Sequence, residues 1–401
     1  MIPFIPRDRY LDRLIAFKDK RIIKVIIGIR RCGKSTLLEI FQQYLLSIGV
    51  NRNQITAINF EDMEYDELRD AKLLHQYINV NLKAGSKHYI FLDEIQQVDD
   101  FQRVVDSLYL NKDVDIYITG SNAKMLSGEI ASLLSGRYVE IEMLPLSFME
   151  YVDFSGTRND LARKYQKYIE FSSFPYSLEL GDDKKLVRDY LSGVFNTVIL
   201  KDVVARNKIS DVMMLESILR FMFHNIGNIV SIKKISDTMT SGGRKISTHT
   251  VESYLTALMD SFILYQVKRF DIKGKQYLKS MEKYYIVDIG LRFFLLGGKS
   301  ADTGHILENV IYLELKRRGY DIFIGKIDNL EVDFTAMNGD GIEYFQVAAT
   351  VREQLTLERE LEPFKRIKDD YPKLLLTLDD DPITDYNGII KKNALDFLLE
   401  K

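Results

Sequence analysis

The sequence predicts an α/β fold whose first part is a parallel sheet. Residues 22–28 form a short β-branched run that ends at a glycine, a pattern typical of a buried strand. A helix-length segment separates each further run from the next, and these runs lie at residues 55–60, 89–93, 115–119 and 138–143. Strands that alternate with helices indicate a parallel sheet with helical crossovers.

The pattern changes beyond residue 148. A helical stretch with loop signals predicts a lid or connector, and later helices lead to a hairpin with strands at 263–270 and from 276 onward. The C-terminal part returns to a smaller mixed α/β pattern, with a helix at 306–318 and strands near 321–324, 331–336, 344–349 and 374–378. We therefore expect four domains, at residues 1–148, 149–208, 209–296 and 297–401.

The composition is that of an ordinary globular protein. Hydrophobic residues make up 46% and charged residues 28% of the 401 residues, which excludes collagen-like and disordered classes. No apolar run reaches the ~18 to 20 residues of a transmembrane helix, so we expect a cytoplasmic protein without a membrane partner. The single cysteine, Cys32, has no partner in the chain for a disulfide, which fits a reducing compartment.

Residues 28–35 read Gly-Ile-Arg-Arg-Cys-Gly-Lys-Ser and match the P-loop (Walker A) pattern G-x-x-x-x-G-K-[ST]. Average residue usage gives such a match by chance in about one 400-residue chain in a hundred. A strand precedes the loop and a helix follows, so backbone N–H groups can cradle phosphates at the positive end of a helix. The expected ATP-binding residues are Gly28, Arg31, Cys32, Gly33, Lys34, Ser35 and Thr36.

Two of these residues have specific expected roles. Lys34 contacts the β and γ phosphates, and the Ser35 hydroxyl joins the Mg²⁺ shell. Thr36 faces the α or β phosphate. The alternative is a glycine-bearing strand-to-helix turn with a solvated lysine.

An acidic pair follows the next strongly apolar strand. Residues 89–94 read Tyr-Ile-Phe-Leu-Asp-Glu, and such a pair is by itself more often a helix N-cap than a catalytic pair. Its position about sixty residues after the P-loop makes the catalytic interpretation strong. We expect Asp93 to hold Mg²⁺ through water and Glu94 to polarise the attacking water.

Two further features are expected near the phosphates. The strand at 115–119 ends in small polar residues, so Asn122 or Ser121 can sense the γ-phosphate, with a plain Asx or Ser turn as the alternative. Arg137 directly precedes the next strand and can neutralise charge on a neighbouring subunit's nucleotide, which predicts a homo-oligomer. An ordinary surface arginine is the alternative.

These motifs, in this order, make residues 20–150 resemble the AAA+ ATPases. Four short segments make the chain resemble, more narrowly, the prokaryotic AAA+ ATPases with a C-terminal domain of unknown function. These segments are Ile29-Arg30-Arg31, Asn59-Phe60-Glu61-Asp62, Asp93-Glu94-Ile95-Gln96 and Pro145-Leu146-Ser147-Phe148. Four further segments resemble the C-terminal half of that family, namely Phe174-Pro175, Lys201-Asp202, residues 283–291 and Glu331-Val332-Asp333-Phe334. The resemblance covers essentially the whole chain. It implies ATP binding and leaves the substrate undefined.

The middle of the chain is basic. Residues 201–300 hold sixteen Lys and Arg against nine Asp and Glu, which suggests a polyanionic partner or, as readily, a solvated surface. Hydroxyl groups within residues 247–250 can cap the N-terminus of a helix that carries an apolar stripe. On this helix His249, Thr250 and Ser253 are expected to face away from the core. With the preceding helix and the hairpin, this order predicts a winged helix.

A winged helix suggests one of two partners. The second helix can enter the major groove of double-stranded DNA while Lys273 and Lys275 on the wing meet phosphates. The alternative is a winged helix that docks a protein, such as one already bound to DNA, because fold alone does not establish function.

The final domain resembles the restriction-endonuclease-like fold. In that fold a helix glutamate, an acidic strand residue and an E-x-K strand gather a metal ion and activate water. Glu308 and Asp333 match the first two positions, but the third reads Gln346-Val347-Ala348 and lacks both the carboxylate and the lysine. The missing residues favour a domain that has lost nuclease activity and serves in binding or scaffolding.

The sequence thus favours an ATPase whose nucleotide state is coupled to a C-terminal module for DNA or protein. Two alternatives stay open. One is a nucleotide-gated binding or scaffold protein with little hydrolysis, against which Glu94 argues. The other is an ATP-regulated nuclease, against which Gln346 and Ala348 argue.

Overall fold

The computed structural model describes residues 5–83, 85–126, 134, 136–297 and 302–400. The chain divides into two compact units, one made of residues 1–145 with 260–262 and the other of residues 146–259 with 263–401. Among the described residues, every helix is too short or too polar to cross a membrane.

The first unit is built on a five-stranded parallel sheet. Its strands are β1 (Ile23–Ile27), β2 (Ile55–Asn59), β3 (His88–Asp93), β4 (Val114–Gly120) and β5 (Tyr138–Glu142). They lie in the order β2-β3-β4-β1-β5, and each neighbouring pair is parallel. All five predicted strands are confirmed. Because the sheet is parallel, the loops that follow β1, β3 and β4 meet at one edge.

The helices of this unit are α1 (Asp8–Ala16), α2 (Lys34–Ser47), α3 (Ala71–Asn81) and α4 (Phe101–Tyr109). Helix α2 starts at the P-loop lysine and buries an apolar face. On that face the Phe41 ring packs 4.9 Å from the Tyr117 ring of β4 and 6.1 Å from the Phe91 ring of β3, measured between centroids. This aromatic contact fixes α2 over the middle of the sheet.

The second unit begins with helices, as the sequence predicts. They are α5 (Phe148–Phe154), α6 (Leu161–Phe171), α7 (Pro175–Glu179), α8 (Lys184–Val194), a π-helical segment (Phe195–Asp202) and α9 (Val203–Asn207). Four longer helices follow among the strands, namely α10 (Val212–His224), α11 (Ile232–Ser241), α12 (Thr248–Asp260) and α13 (Ile289–Leu296). The remaining helices are α14 (Thr303–Arg317), α15 (Gln354–Arg366) and α16 (Ala394–Leu398).

One nine-stranded mixed sheet runs through this unit in the order β13-β14-β12-β11-β10-β9-β7-β8-β6. The hairpin strands and their short neighbour are β6 (Ile229–Val230), β7 (Leu264–Asp271) and β8 (Gln276–Ile286). The later strands are β9 (Asp321–Ile327), β10 (Leu330–Asn338), β11 (Gly341–Ala348), β12 (Lys373–Thr377), β13 (Thr384–Asp385) and β14 (Ile389–Asn393). The sequence analysis missed β13, β14 and helix α15.

The predicted domain boundary between residues 296 and 297 does not coincide with a break in this sheet. Strand β7 pairs in parallel with β9, with Arg269 opposite Ile324 and Asp271 opposite Lys326. The hairpin and the C-terminal strands therefore share one sheet. Local patterns predicted each strand, but they carry no information on pairing between strands about fifty residues apart.

A buried aspartate explains two of the motifs that resemble the family's C-terminal half. Asp288 Oδ2 accepts hydrogen bonds from the backbone N–H of Ser173 at 2.7 Å and from its hydroxyl at 2.6 Å. Its Oδ1 accepts from the backbone N–H of Leu291 at 2.8 Å and caps α13. Gly290 lies against Ser172, where an added Cβ would be 2.4 Å from the Ser172 Cα. These motifs hold the turn after α6 against α13.

Replacing Gly290 with alanine is expected to destabilise the second unit. The new Cβ meets backbone atoms that cannot move aside, and overpacking of this kind costs about 1 to 3 kcal/mol. Chemical denaturation followed by circular dichroism checks this. The matched control is Gly193→Ala in the exposed part of α8, where a Cβ meets nothing within 4 Å. It should leave the midpoint unchanged or raise it, and equal losses in both variants would contradict the packing argument.

Candidate nucleotide-binding site

The P-loop joins β1 to α2 in a backbone conformation that requires glycine at two positions. Gly28 has φ +150° and Gly33 has φ +102°, and Arg31 between them also has a positive φ of 69°. A Cβ on Gly28 would lie 2.2 Å from the carbonyl oxygen of Met143. No side chain among the described residues caps the N-terminus of α2. The N–H groups of the first turn of α2 therefore border the loop, as anion binding requires.

Lys34 lies buried at the centre of the loop. Its ammonium donates to the carbonyl oxygens of Gly28 and Ile29 at 3.0 and 3.3 Å and to the Ser121 hydroxyl at 3.2 Å. It also lies 3.4 Å from a carboxylate oxygen of Glu94. The lysine therefore connects the ends of β1, β3 and β4 at one point.

Asp93 and Ser35 are brought together, as the sequence predicts for a magnesium site. Asp93 is 6% exposed and accepts a hydrogen bond from the Thr119 hydroxyl. Burial raises the pKa of Asp93, while hydrogen bonds from Ser35 and Thr119 act in the opposite direction. A carboxylate beside a serine hydroxyl is a donor set of hard oxygens, which suits Mg²⁺.

Glu94 is held firmly in the same place. It has a left-handed backbone, with φ 55°, and its N–H donates to the Thr119 hydroxyl oxygen at 2.8 Å. The Ser121 hydroxyl lies 2.6 and 2.7 Å from its two carboxylate oxygens, and Gln96 donates to one of them. Burial acts to raise the pKa of Glu94, but the charge of Lys34 and these hydrogen bonds outweigh it and lower the pKa. The side chain is therefore an oriented carboxylate.

Ser121, and not Asn122, is the small polar residue that contacts this cluster. The Asn122 Oδ1 accepts from the backbone N–H of Lys124 at 2.7 Å and so stabilises the following turn. Thr119, near the end of β4, and Ser121, just after it, both contact Glu94. The sequence left Ser121 and Asn122 open, because both residues lie beyond the strand and its alternation does not distinguish them.

Arg137 contacts its own chain. Its guanidinium pairs with Asp106 and lies 5.5 Å from the ring centroid of Tyr109, and both partners belong to α4. Its side chain is 41% exposed. The arrangement does not bring Arg137 to the P-loop cluster, and its action on a neighbouring subunit stays a prediction.

Arg7 is a site residue that the sequence analysis missed. It is 2% exposed, and its guanidinium donates to the carbonyl oxygen of Cys32 at 2.8 Å and to that of Leu144 at 2.7 Å. It thereby ties the P-loop to the segment after β5. Cys32 itself is fully buried, and burial raises the pKa of its thiol, which keeps the thiol protonated. No local pattern around Arg7 predicts a contact with residues so far along the chain.

The second unit contains a separate polar cavity of about 920 Å³. The residues predicted from the endonuclease resemblance, Glu308, Asp333 and Gln346, all line it. Lys283 of β8 also lines it, and its ammonium lies 2.8 Å from Glu308. The sequence analysis found no lysine for this site because Lys283 lies outside the predicted final domain.

A parallel sheet whose first strand leads into a G-x-x-x-x-G-K-S loop and a helix defines a P-loop nucleoside triphosphatase fold. Residues 20–152 match the family of AAA domains, and residues 162–302 match a domain of unknown function, DUF8612. The chain belongs to the family of AAA-domain proteins that carry this C-terminal domain of unknown function, as the motifs indicated.

Two relatives and one solved structure are similar to the chain to different degrees. An uncharacterised protein of Haemophilus influenzae is 40% identical over 400 residues, which is 99% of either chain. An uncharacterised protein of Methanocaldococcus jannaschii is 32% identical over 368 residues, covering 86% of this chain and 79% of the relative. A Walker-type ATPase of Pyrococcus abyssi is 15% identical, with a TM-score of 0.48 over 73% of this chain and 96% of that one.

Replacing Gly28 with alanine is expected to destabilise the first unit. The substitution places a methyl group on the Met143 carbonyl oxygen and strains the backbone, which together cost about 2 to 4 kcal/mol. Urea denaturation of the full chain measures the loss. Gly49→Ala is the control because Gly49 also has a positive φ, of 92°, but open space around it. Gly49→Ala should lower the free energy of unfolding by only ~1 kcal/mol, the cost of placing alanine in the left-handed region. An equally small loss for Gly28→Ala would disprove the steric constraint.

Proposed function

We propose that this protein binds ATP with Mg²⁺ at the P-loop and hydrolyses it. The observation that carries the proposal is the meeting of Lys34, Ser35, Asp93 and Glu94 at one edge of the parallel sheet. Each residue supplies a group that phosphoryl transfer needs: a cation for the phosphates, oxygens for the metal and a base for water. Membership of an AAA-domain family supports the same activity.

Binding begins with the backbone of the loop. The N–H groups at the start of α2 attract the phosphate anions, and Gly28 and Gly33 let the backbone approach them closely. Lys34 donates to the neutral carbonyl oxygens of Gly28 and Ile29 and to the Ser121 hydroxyl, and the Glu94 carboxylate lies farther away, at 3.4 Å. Phosphate oxygens carry more negative charge than these neutral groups, so they are the stronger acceptors for the ammonium.

Ser35 and Asp93, whose side chains lie together, would hold a magnesium ion through their oxygen atoms. When bound, Mg²⁺ supplies positive charge to the β and γ phosphates. A cation beside Asp93 favours its ionised form, which counteracts the effect of burial on its pKa. Thr119 keeps the carboxylate of Asp93 oriented toward the loop.

Glu94 acts on the attacking water in this mechanism. Its lowered pKa keeps it ionised, so it can accept the proton that the water loses as it attacks the γ-phosphorus. Ser121 and Gln96 hold both carboxylate oxygens in hydrogen bonds. Because Ser121 also accepts from Lys34, a phosphate that draws Lys34 away changes the contacts of Glu94. Ser121 is therefore the residue that we assign to γ-phosphate sensing.

Arg7 supports a coupling between the nucleotide loop and the rest of the chain. Its guanidinium bonds to the loop at Cys32 and to Leu144, close to the point where the chain leaves the first unit. A change in the conformation of the loop therefore affects the backbone that leads into the second unit. We propose that the nucleotide state reaches the C-terminal module along this connection.

Two substitutions separate hydrolysis from binding. Lys34→Ala should abolish saturable, magnesium-dependent ATP binding, because the phosphates lose their main cation. Glu94→Gln should bind ATP normally but hydrolyse it about 10² to 10⁴ times more slowly, because the amide cannot accept a proton. Fluorescent-nucleotide titration and steady-state phosphate release measure the two quantities.

The exposed Glu67 provides a matched control, since Glu67→Gln makes the same chemical change away from the loop and should have no effect. Equal near-zero phosphate release from the wild type and Glu94→Gln would replace the hydrolysis proposal with a nucleotide-gated binding protein. Unchanged ATP affinity in Lys34→Ala would remove the site itself.

We further propose that residues 212–286 bind double-stranded DNA as a winged helix. Helix α12 exposes His249 and Ser253 on the face away from its buried apolar stripe, and Lys245 before it is also exposed. On the hairpin, Lys275 is exposed, whereas Lys273 pairs with Asp328 at 2.5 Å. Lys245 thus lies just before the helix that would enter the major groove, and Lys275 lies on the hairpin that would form the wing.

DNA affinity should therefore fall steeply with salt. Each phosphate contact contributes about 0.9 to the slope of log affinity against log salt, so Lys245→Ala and Lys275→Ala should each lower the slope by about one. Fluorescence anisotropy with a labelled duplex measures it. Lys112→Ala in the first unit is the control for charge, because Lys112 is exposed there. A flat salt dependence of the wild type would favour a protein partner.

A further inference from the structure

The cavity of the second unit is lined by carboxylates and cations from several elements. Lys283 comes from β8, Glu308 from α14, and Glu331 and Asp333 from β10. We call these four residues the Lys283 cluster. Gln346 of β11 and Glu360 of α15 form the neighbouring wall.

The ammonium of Lys283 lies among the three carboxylates of its cluster. Its nitrogen is 2.8 Å from Glu308 Oε1, 2.7 Å from Glu331 Oε1 and 3.7 Å from Asp333 Oδ1. The side chain is 5% exposed. Two carboxylate oxygens within 2.8 Å therefore hold the positively charged ammonium in place.

The carboxylates around the cavity are also occupied by donors. Glu308 Oε1 accepts a second hydrogen bond, from the Tyr285 hydroxyl at 2.5 Å, and Asp333 Oδ2 accepts from the backbone N–H of Val347 at 2.8 Å. Gln346 donates to Glu360 Oε2 at 2.8 Å, and Arg359 lies 2.8 Å from Glu360 Oε1. Protein groups therefore already bind Oε1 of Glu308, Oδ2 of Asp333 and both carboxylate oxygens of Glu360.

These residues do not fit the metal site that the endonuclease resemblance implies. An ammonium near 3 Å repels a divalent cation that approaches the same oxygens. In their arrangement around the Lys283 ammonium, these carboxylates do not form a group that could hold a metal ion, and the described residues contain no other such group of three or more His, Cys, Asp and Glu. Gln346 and Ala348 occupy the positions where that fold has its third carboxylate and its lysine.

We propose that Lys283 takes the place of the metal ion, so that its fixed charge holds Glu308, Glu331 and Asp333 together in a cavity that works without metal. The cluster joins the hairpin strand β8 to β10 and α14, which are elements of the C-terminal half. Metal-assisted activation of water is absent from this arrangement, so the ATP-regulated nuclease is excluded as the role of the cavity. The cavity instead serves binding or the fixed geometry of the nine-stranded sheet.

Removing the lysine should create a metal site. Lys283→Met keeps the volume of the side chain but leaves three carboxylates without their cation, and these attract divalent ions. Mn²⁺ binding to the full chain, without nucleotide, is measured by loss of the free Mn²⁺ signal in electron paramagnetic resonance. We expect Lys283→Met to gain one site at least about tenfold tighter than any site of the wild type. The gained site should disappear when Glu308→Gln is added.

A thermal unfolding scan gives an independent readout. Mn²⁺ should raise the unfolding temperature of Lys283→Met and leave that of the wild type unchanged. The control is Lys24→Met, because Lys24 is an equally buried lysine that pairs with the single carboxylate of Asp115. This variant should lose stability without gaining a tight Mn²⁺ site.

Two results would overturn the proposal. One is a Mn²⁺ site in the wild type that Glu308→Gln abolishes, which would mean that lysine and metal coexist. The other is a folded Lys283→Met protein with no gain in Mn²⁺ affinity. If Lys283→Met alone does not fold, the double variant Lys283→Met with Glu331→Gln is used instead. It keeps the carboxylates of Glu308 and Asp333 but removes the repulsion from Glu331, and it too should gain Mn²⁺ affinity. None of these measurements depends on ATP hydrolysis.

Discussion

The close contact between Gly28 and the Met143 carbonyl is the constraint on which the first unit depends. It brings the end of β1 against the segment after β5, which is possible only without a Cβ at residue 28. The loop then turns over the sheet edge and starts α2 at Lys34. From that position Lys34 reaches Ser121 after β4 and Glu94 after β3. The chemistry of the site thus follows from one steric condition in the backbone.

The two units use a buried lysine in opposite ways. Lys34 bonds mainly to neutral oxygens of the loop and of Ser121, and an anion with stronger acceptors can replace these partners. Lys283 bonds to carboxylates, which are themselves negatively charged and cannot leave the cavity. The first arrangement suits a reversible ligand, while the second suits a permanent ion cluster. The difference lies in the charge of the acceptors and not in the depth of burial.

Much of the first unit was predictable, because the strands, the P-loop and the acidic pair depend on residues close in sequence. The meeting of these motifs also followed, since parallel strands end at one edge. Arg7 and Lys283 were missed because their contacts join distant parts of the chain. The choice of Ser121 over Asn122 could not be predicted either, because both residues lie beyond the end of β4 at Gly120. The pairing of β7 with β9 had no local signal, and the predicted boundary at residue 296 therefore cuts through a sheet.

That pairing has a practical consequence for dissecting the protein. A fragment that ends at residue 296 would leave β7 with an unpaired edge, and a fragment that starts at 297 would leave β9 in the same condition. Exposed strand edges of this kind favour aggregation. The fragment that ends at residue 296 would also carry Lys283 without its acidic partners. Studies of the second unit in isolation should therefore express residues 146–401 as one piece.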